Sequence, residues 1–190
     1  MIALLSLLAS ITAQDAALPA VARTMEFALE RSEEARALGH YGSLVVHARI
    51  GEGGSLGDLQ LARSSGSDRL DADALAKLEG ASIRGSQPGD LVAFDIDYLP
   101  FDIERIPAYS CRQAALDLGW WQSLSRDNTP TNSSIYNMLS GLLLVATIDT
   151  GSSADVAGRY KAFRANFGTA VARCQDRPDA SFLATAVKAD

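Results

Sequence analysis

Residues 42–98 constrain the fold more than any other stretch. Leu44, Val46, Ala48 and Ile50 alternate with Ser43, Val45, His47 and Arg49, the two-residue period of a half-buried strand. Gly51, Gly53, Gly54 and Gly57 follow and supply a hairpin turn. Leu59 and Leu61 then alternate with Asp58, Gln60 and Ala62 in a second strand. Ser64-Ser65-Gly66-Ser67 breaks the pattern, and Ser67 or Asp68 can cap a helix with Leu70, Ala74, Leu75 and Leu78 on one side. After a loop from Gly80 to Gly89, a third strand runs through Leu91, Val92, Ala93, Phe94, Asp95, Ile96, Asp97 and Tyr98. The order is strand, strand, helix, strand. The expected class is α+β: a small three-stranded antiparallel sheet (ββαβ) followed by a small disulfide-clipped α-helical domain.

That order and those residues resemble the C-terminal domain of the TonB family over residues 42–98. The resemblance rests on Gly42 before the first strand, the glycine turn, the Ser64-Ser65-Gly66 motif, and Leu70-Asp71 with Ala74-Leu75 opening the helix. It implies a domain that binds extended peptides or other envelope proteins by adding a strand to a sheet edge. The same resemblance assigns that edge to Leu91–Tyr98, where Asp95 and Asp97, after Asp90, suit a basic or neutral partner. It does not carry over energy transduction, because the six prolines form no Pro-rich spacer.

Before this domain, residues 16–38 are expected to form a helix. Leu18, Val21, Met25, Ala28, Leu29, Ala35 and Leu38 fall near helical spacing, and Glu30, Arg31, Glu33, Glu34 and Arg36 make a solvated charged face. His40, after the helix stop at Gly39, is expected to cap backbone carbonyls. The first thirteen residues, MIALLSLLASITA, have the length of a signal-peptide apolar core and end in small residues. They lack a preceding Lys or Arg, so cleavage, a tethered signal and a buried helix stay open. Export is the expectation, with periplasmic location, or membrane contact if the segment is retained.

Beyond the linker at 102–108 the character turns helical. Ser110 can cap a helix through Cys111, Ala114, Ala115, Leu118 and Trp121; Ile135–Ile148 is apolar on most sides; Val156, Tyr160, Phe163, Phe167 and Val171 recur at helical spacing; Phe182 to Val187 makes a last short helix. Of Trp120 and Trp121, one ring is expected in the bundle core and the other exposed or against the first domain. Cys111 and Cys174 are the only cysteines. In an exported chain they suggest a disulfide; otherwise they are two buried thiols. This half loosely resembles HdeA-type periplasmic helical proteins, through Cys111, Gly141, Cys174 and Arg177-Pro178. The expected domains are 1–13 signal, 14–39 helix, 40–101 ββαβ domain, 102–108 linker and 109–190 helical domain.

The chain carries a net charge of -6 and no Lys/Arg cluster, which argues against nucleic acid and anionic membranes. The cysteines and histidines lack zinc-site spacing, and no nucleophile elbow or phosphate loop is present. Asp149-Thr150-Gly151 reads as a helix end rather than a protease signature. No catalytic residue, metal or cofactor is expected. The sequence therefore favours an envelope protein that docks a protein or peptide, possibly linked to envelope transport, over an enzyme. The alternative is a periplasmic stress chaperone acting through the helical half.

Overall fold

A computed structural model describes residues 21–101, 106, 108–126, 129–148 and 153–187. The expected signal, the start of the expected N-terminal helix and the Asp149-Thr150-Gly151 tripeptide lie outside them. Four strands and six α-helices are found among the described residues. The sheet half contains β1 (Arg23–Leu29), α1 (Glu33–Ala37), β2 (Gly42–Ile50), β3 (Leu56–Arg63), α2 (Asp68–Leu78) and β4 (Leu91–Tyr98). The helical half contains α3 (Cys111–Leu124), α4 (Ser134–Ile148), α5 (Ser153–Arg173) and α6 (Phe182–Val187).

The ββαβ unit forms as read. Ser67 caps α2 by accepting from the Leu70 N–H, and β2 pairs antiparallel with both β3 and β4. Leu44, Val46, Ala48 and Ile50 on β2 and Val92, Phe94, Ile96 and Tyr98 on β4 share one buried face with Leu70 and Ala74 of α2. Strand alternation thus puts one apolar set beneath the helix and leaves Ser43, His47, Asp95 and Asp97 on the other face.

The expected N-terminal helix is corrected. Residues 23–29 form a strand, and only Glu33–Ala37 is helical, capped by Ser32. The sheet therefore has four strands in the order β1-β4-β2-β3. The physical reason is a competing period. Met25, Phe27 and Leu29 alternate with Thr24, Glu26 and Ala28, so an apolar face of period two overlaps the helical one. Pairing along β4 and burial of Met25 and Leu29 against the core decide the competition. Leu38, expected on the apolar side of a helix, is half exposed instead.

The helical half has a second core, built on Ile135, Leu139, Phe163, Phe167 and Phe182. Four aromatic rings, Tyr136, Phe163, Phe167 and Phe182, form a contact chain with centroids 5.0–5.7 Å apart. Ser110 caps α3. Backbone bonds from Cys111 N to Ala180 O and from Phe182 N to Tyr109 O zip its start to the start of α6. Cys111 and Cys174 form the expected disulfide, with Cα atoms 5.0 Å apart.

That bond spans 63 residues, so loop-closure entropy gives it about 4 kcal/mol. The double replacement Cys111→Ser/Cys174→Ser is expected to destabilise the helical half by that amount in chemical denaturation. A change below about 1 kcal/mol would show that the core of aromatic rings holds the bundle without the clip.

Candidate functional site

A strand can be added only where a sheet presents unpaired backbone groups. Leu91–Tyr98 was the expected edge, and the topology corrects that. β4 lies inside the sheet, paired with β2 on one side and with β1 on the other. Val92, Phe94, Ile96 and Tyr98 point into the core, and Ala93 is also buried. Tyr98 bolts the sheet to α2: its hydroxyl donates to Asp73, which also pairs with Lys77 at 2.7 Å. Burial pushes the Tyr98 hydroxyl well above its ordinary pKa, and the Asp73 carboxylate adds to that. Leu91, Asp95 and Asp97 line the opposite face.

The two outer strands are β1 and β3, and they differ. β3 has register shifts against β2 at Val45/Val46 and at His47/Arg49, and Asp58 adopts a left-handed backbone with φ 49°. Its first residue donates to Ala81 O at 3.0 Å, and Ser55 bridges to Ser82, so the segment after α2 covers that end. Bulges and a covered end blunt an edge against further pairing. β1 has neither. It runs parallel to β4 in unbroken register from Arg23↔Val92 to Leu29↔Tyr98. Most of its residues are exposed.

The two faces of β1 are held unequally. On the core side, Phe27 stacks on Phe94 with centroids 6.0 Å apart, yet it remains 39% exposed. On the open side, Glu26 is the register partner of Asp95 and Ala28 of Asp97. Arg63 reaches Asp95 at 2.9 Å from β3, and the Ser43 hydroxyl donates to Asp97. This patch of Glu26, Asp95, Asp97 and Arg63 is net acidic.

β1 ends beside a buried junction between the halves. Arg31, expected on a solvated face, is 5% exposed. Its guanidinium donates to Asp117 Oδ1 at 2.8 Å and Oδ2 at 3.2 Å, to His40 O at 3.3 Å, and to Pro100 O. Asp117, on α3, also accepts from the Tyr109 hydroxyl at 2.9 Å and from Gln113 at 2.7 Å. Burial pushes the Asp117 carboxyl up, to about 6, while Arg31, Gln113 and Tyr109 pull it down. A cleft of about 260 Å³ opens beside the pair, between Arg36, Phe101, Tyr109 and Gln113.

Neighbouring contacts extend the junction. Trp120 is the tryptophan that packs on the first domain: its indole donates to Tyr41 O at 2.8 Å, and its ring stacks on His40 at 3.9 Å. His40 caps no carbonyl with its ring; its Nδ1 lies 2.8 Å from Ser67 Oγ. The ring's pKa is lowered by burial and by Arg69. Gly39 has φ 71°, and a Cβ there would sit 2.4 Å from the Leu116 carbonyl, so α3 approaches to backbone contact. Ser64-Ser65-Gly66 is tied by Asp71, which accepts from the Ser65 N–H at 2.9 Å, and Gly66 faces Leu124. The residues that carried the family resemblance thus also seat the helical half.

β1 was legible as a strand only through Met25, Phe27 and Leu29, and nothing in the local sequence marks Arg31 as buried. Its partner lies 86 residues away. Among the described residues, no group of His, Cys, Asp and Glu could hold a metal ion, and no helix is long and apolar enough to cross a membrane.

Residues 30–102 match the family model described as Gram-negative bacterial TonB protein C-terminal. This part of the chain is similar to a TonB C-terminal domain. The match begins just after β1 and ends before the helical half, so the likeness of residues 109–188 to HdeA-type proteins rests on sequence alone. No curated protein and no solved structure matches the chain.

Removing one member of a buried ion pair strands the other without solvent. Asp117→Ala is expected to cost about 3–5 kcal/mol in denaturation, by the measured cost of breaking such pairs. Arg112→Ala, which breaks an exposed pair with Asp179, should cost no more than about 1 kcal/mol. Equal effects would show that Arg31 is not held as described.

Proposed function

We propose that the chain is an exported cell-envelope protein that docks a protein or peptide by strand addition on the β1 side of its sheet. The observation that carries this reading is the contrast between the two outer strands. β3 is bulged and covered at one end, whereas β1 is regular, exposed and in continuous register with β4. An extended partner gains affinity from main-chain bonds along such a side and specificity from alternate side chains. The family match supports envelope association, since this domain type is found there and mediates protein contacts. The two cysteines closed as a disulfide agree with an oxidising compartment such as the periplasm.

The chain is on this reading a binding module and not an enzyme, and a link to envelope transport would run through its partner. The stress-chaperone alternative gains no specific support: the residues that would have to open are clipped by the disulfide and packed around aromatic rings.

Site-specific photo-crosslinking tests the side. A crosslinker at position 97, on the open face of β4 beside β1, should trap an envelope partner of the full-length chain in intact cells. One at position 60, on β3, should not; both residues are exposed. Adducts from position 60 alone would move docking to β3. Adducts from neither position would overturn strand addition.

A further inference from the structure

We propose that β1 is a self-supplied strand, seated where a partner's strand belongs, and that the partner is an extended segment in which apolar residues alternate with lysine or arginine. The inference rests on strand addition at the β1 side and adds to it what must leave and what must enter.

Two observations say that β1 can leave. Its open face sets Glu26 against Asp95, and like charges in register across a strand pair are unfavourable. Its pairing is parallel, unlike every other pair in the sheet, and parallel pairs are slightly less stable per residue. A third observation says where it would stop. Arg31, two residues beyond the strand, is locked by Asp117, Pro100 O and His40 O. Detachment would therefore free residues 23–29 while the chain stays moored at Arg31, with the domain intact.

The same register defines what enters. A replacement strand must fill the sites of Met25, Phe27 and Leu29 on the core side, above Phe94, Ile96 and Tyr98. At the positions of Glu26 and Ala28 it faces Asp95 and Asp97, of which Asp95 is paired with Arg63. Cationic side chains there would convert a repulsion into two attractive pairs. The pattern is apolar, basic, apolar, basic, apolar. A partner of this kind pays a conformational tax set by the fraction of molecules with β1 detached, so anything that loosens β1 raises its apparent affinity.

The probe is a synthetic peptide of residues 23–29 carrying Glu26→Lys and Ala28→Lys, offered to the full-length chain beside an unaltered control peptide. Hydrogen exchange should show amides 23–29 losing protection on binding while amides 91–98 keep theirs. Phe27→Ala in the protein should tighten binding about tenfold, and Asp95→Asn/Asp97→Asn should abolish the preference for the lysine peptide. Binding with β1 still protected would overturn displacement but leave strand addition standing, as an outer fifth strand. No preference for lysine in the wild-type protein would overturn the partner's chemistry. Absence of binding to both the wild-type chain and Phe27→Ala would overturn addition on this side altogether.

Discussion

The buried pair between Arg31 and Asp117 is the constraint on which the arrangement depends. A guanidinium and a carboxylate removed from water are costly unless each is fully bonded. Here each is: Arg31 reaches one carboxylate and two carbonyls, and Asp117 takes Arg31, Tyr109 and Gln113. The donors and acceptors come from four segments: the residues just after β1, the turn before β2, the residues just after β4, and the stretch from Tyr109 into the first half of α3. Satisfying them fixes these segments together. The packing around the pair follows, with Trp120 on His40 and Leu116 against Gly39.

This geometry explains why the fold was only partly legible. The ββαβ unit is local: alternation, glycine turn and a Ser67 cap are all written within 57 consecutive residues, and each agrees with the others. The disulfide was likewise readable from an even cysteine count. β1 was harder, because Met25, Phe27 and Leu29 suit a strand while Met25, Ala28, Leu29 and Ala35 suit a helix. The choice was made by β4, about seventy residues downstream. Arg31 was harder still. It sits in a charge run that looks solvated, and only a carboxylate on a helix of the other half takes it inside.

The expectation that β4 is an edge fails for the same reason. In a ββαβ sheet of three strands, the last strand is an edge. Adding a fourth strand from the N-terminal side converts it into an inner one without changing any residue of β4. Its sequence records both conditions: Val92, Phe94, Ile96 and Tyr98 satisfy the core, whereas Asp95 and Asp97 stand in register with Glu26 and Ala28 of β1, neither of them a cation. Tertiary context changed the strand's role but not its chemistry.

A strand that completes a sheet usually repeats the sheet's own preferences, and β1 does so on one face only. Its apolar side matches β4 through the Phe27–Phe94 stack, while its polar side is mismatched. β3 shows the opposite treatment: paired by Arg63 to Asp95, bulged, and covered at its start. If β1 served stability alone, a lysine at position 26 would serve better than the glutamate present. The acidic side chain present stands in register with Asp95 instead, an unfavourable pairing of like charges. The buried bonds of Arg31 begin two residues beyond that strand and are separate from its pairing with β4.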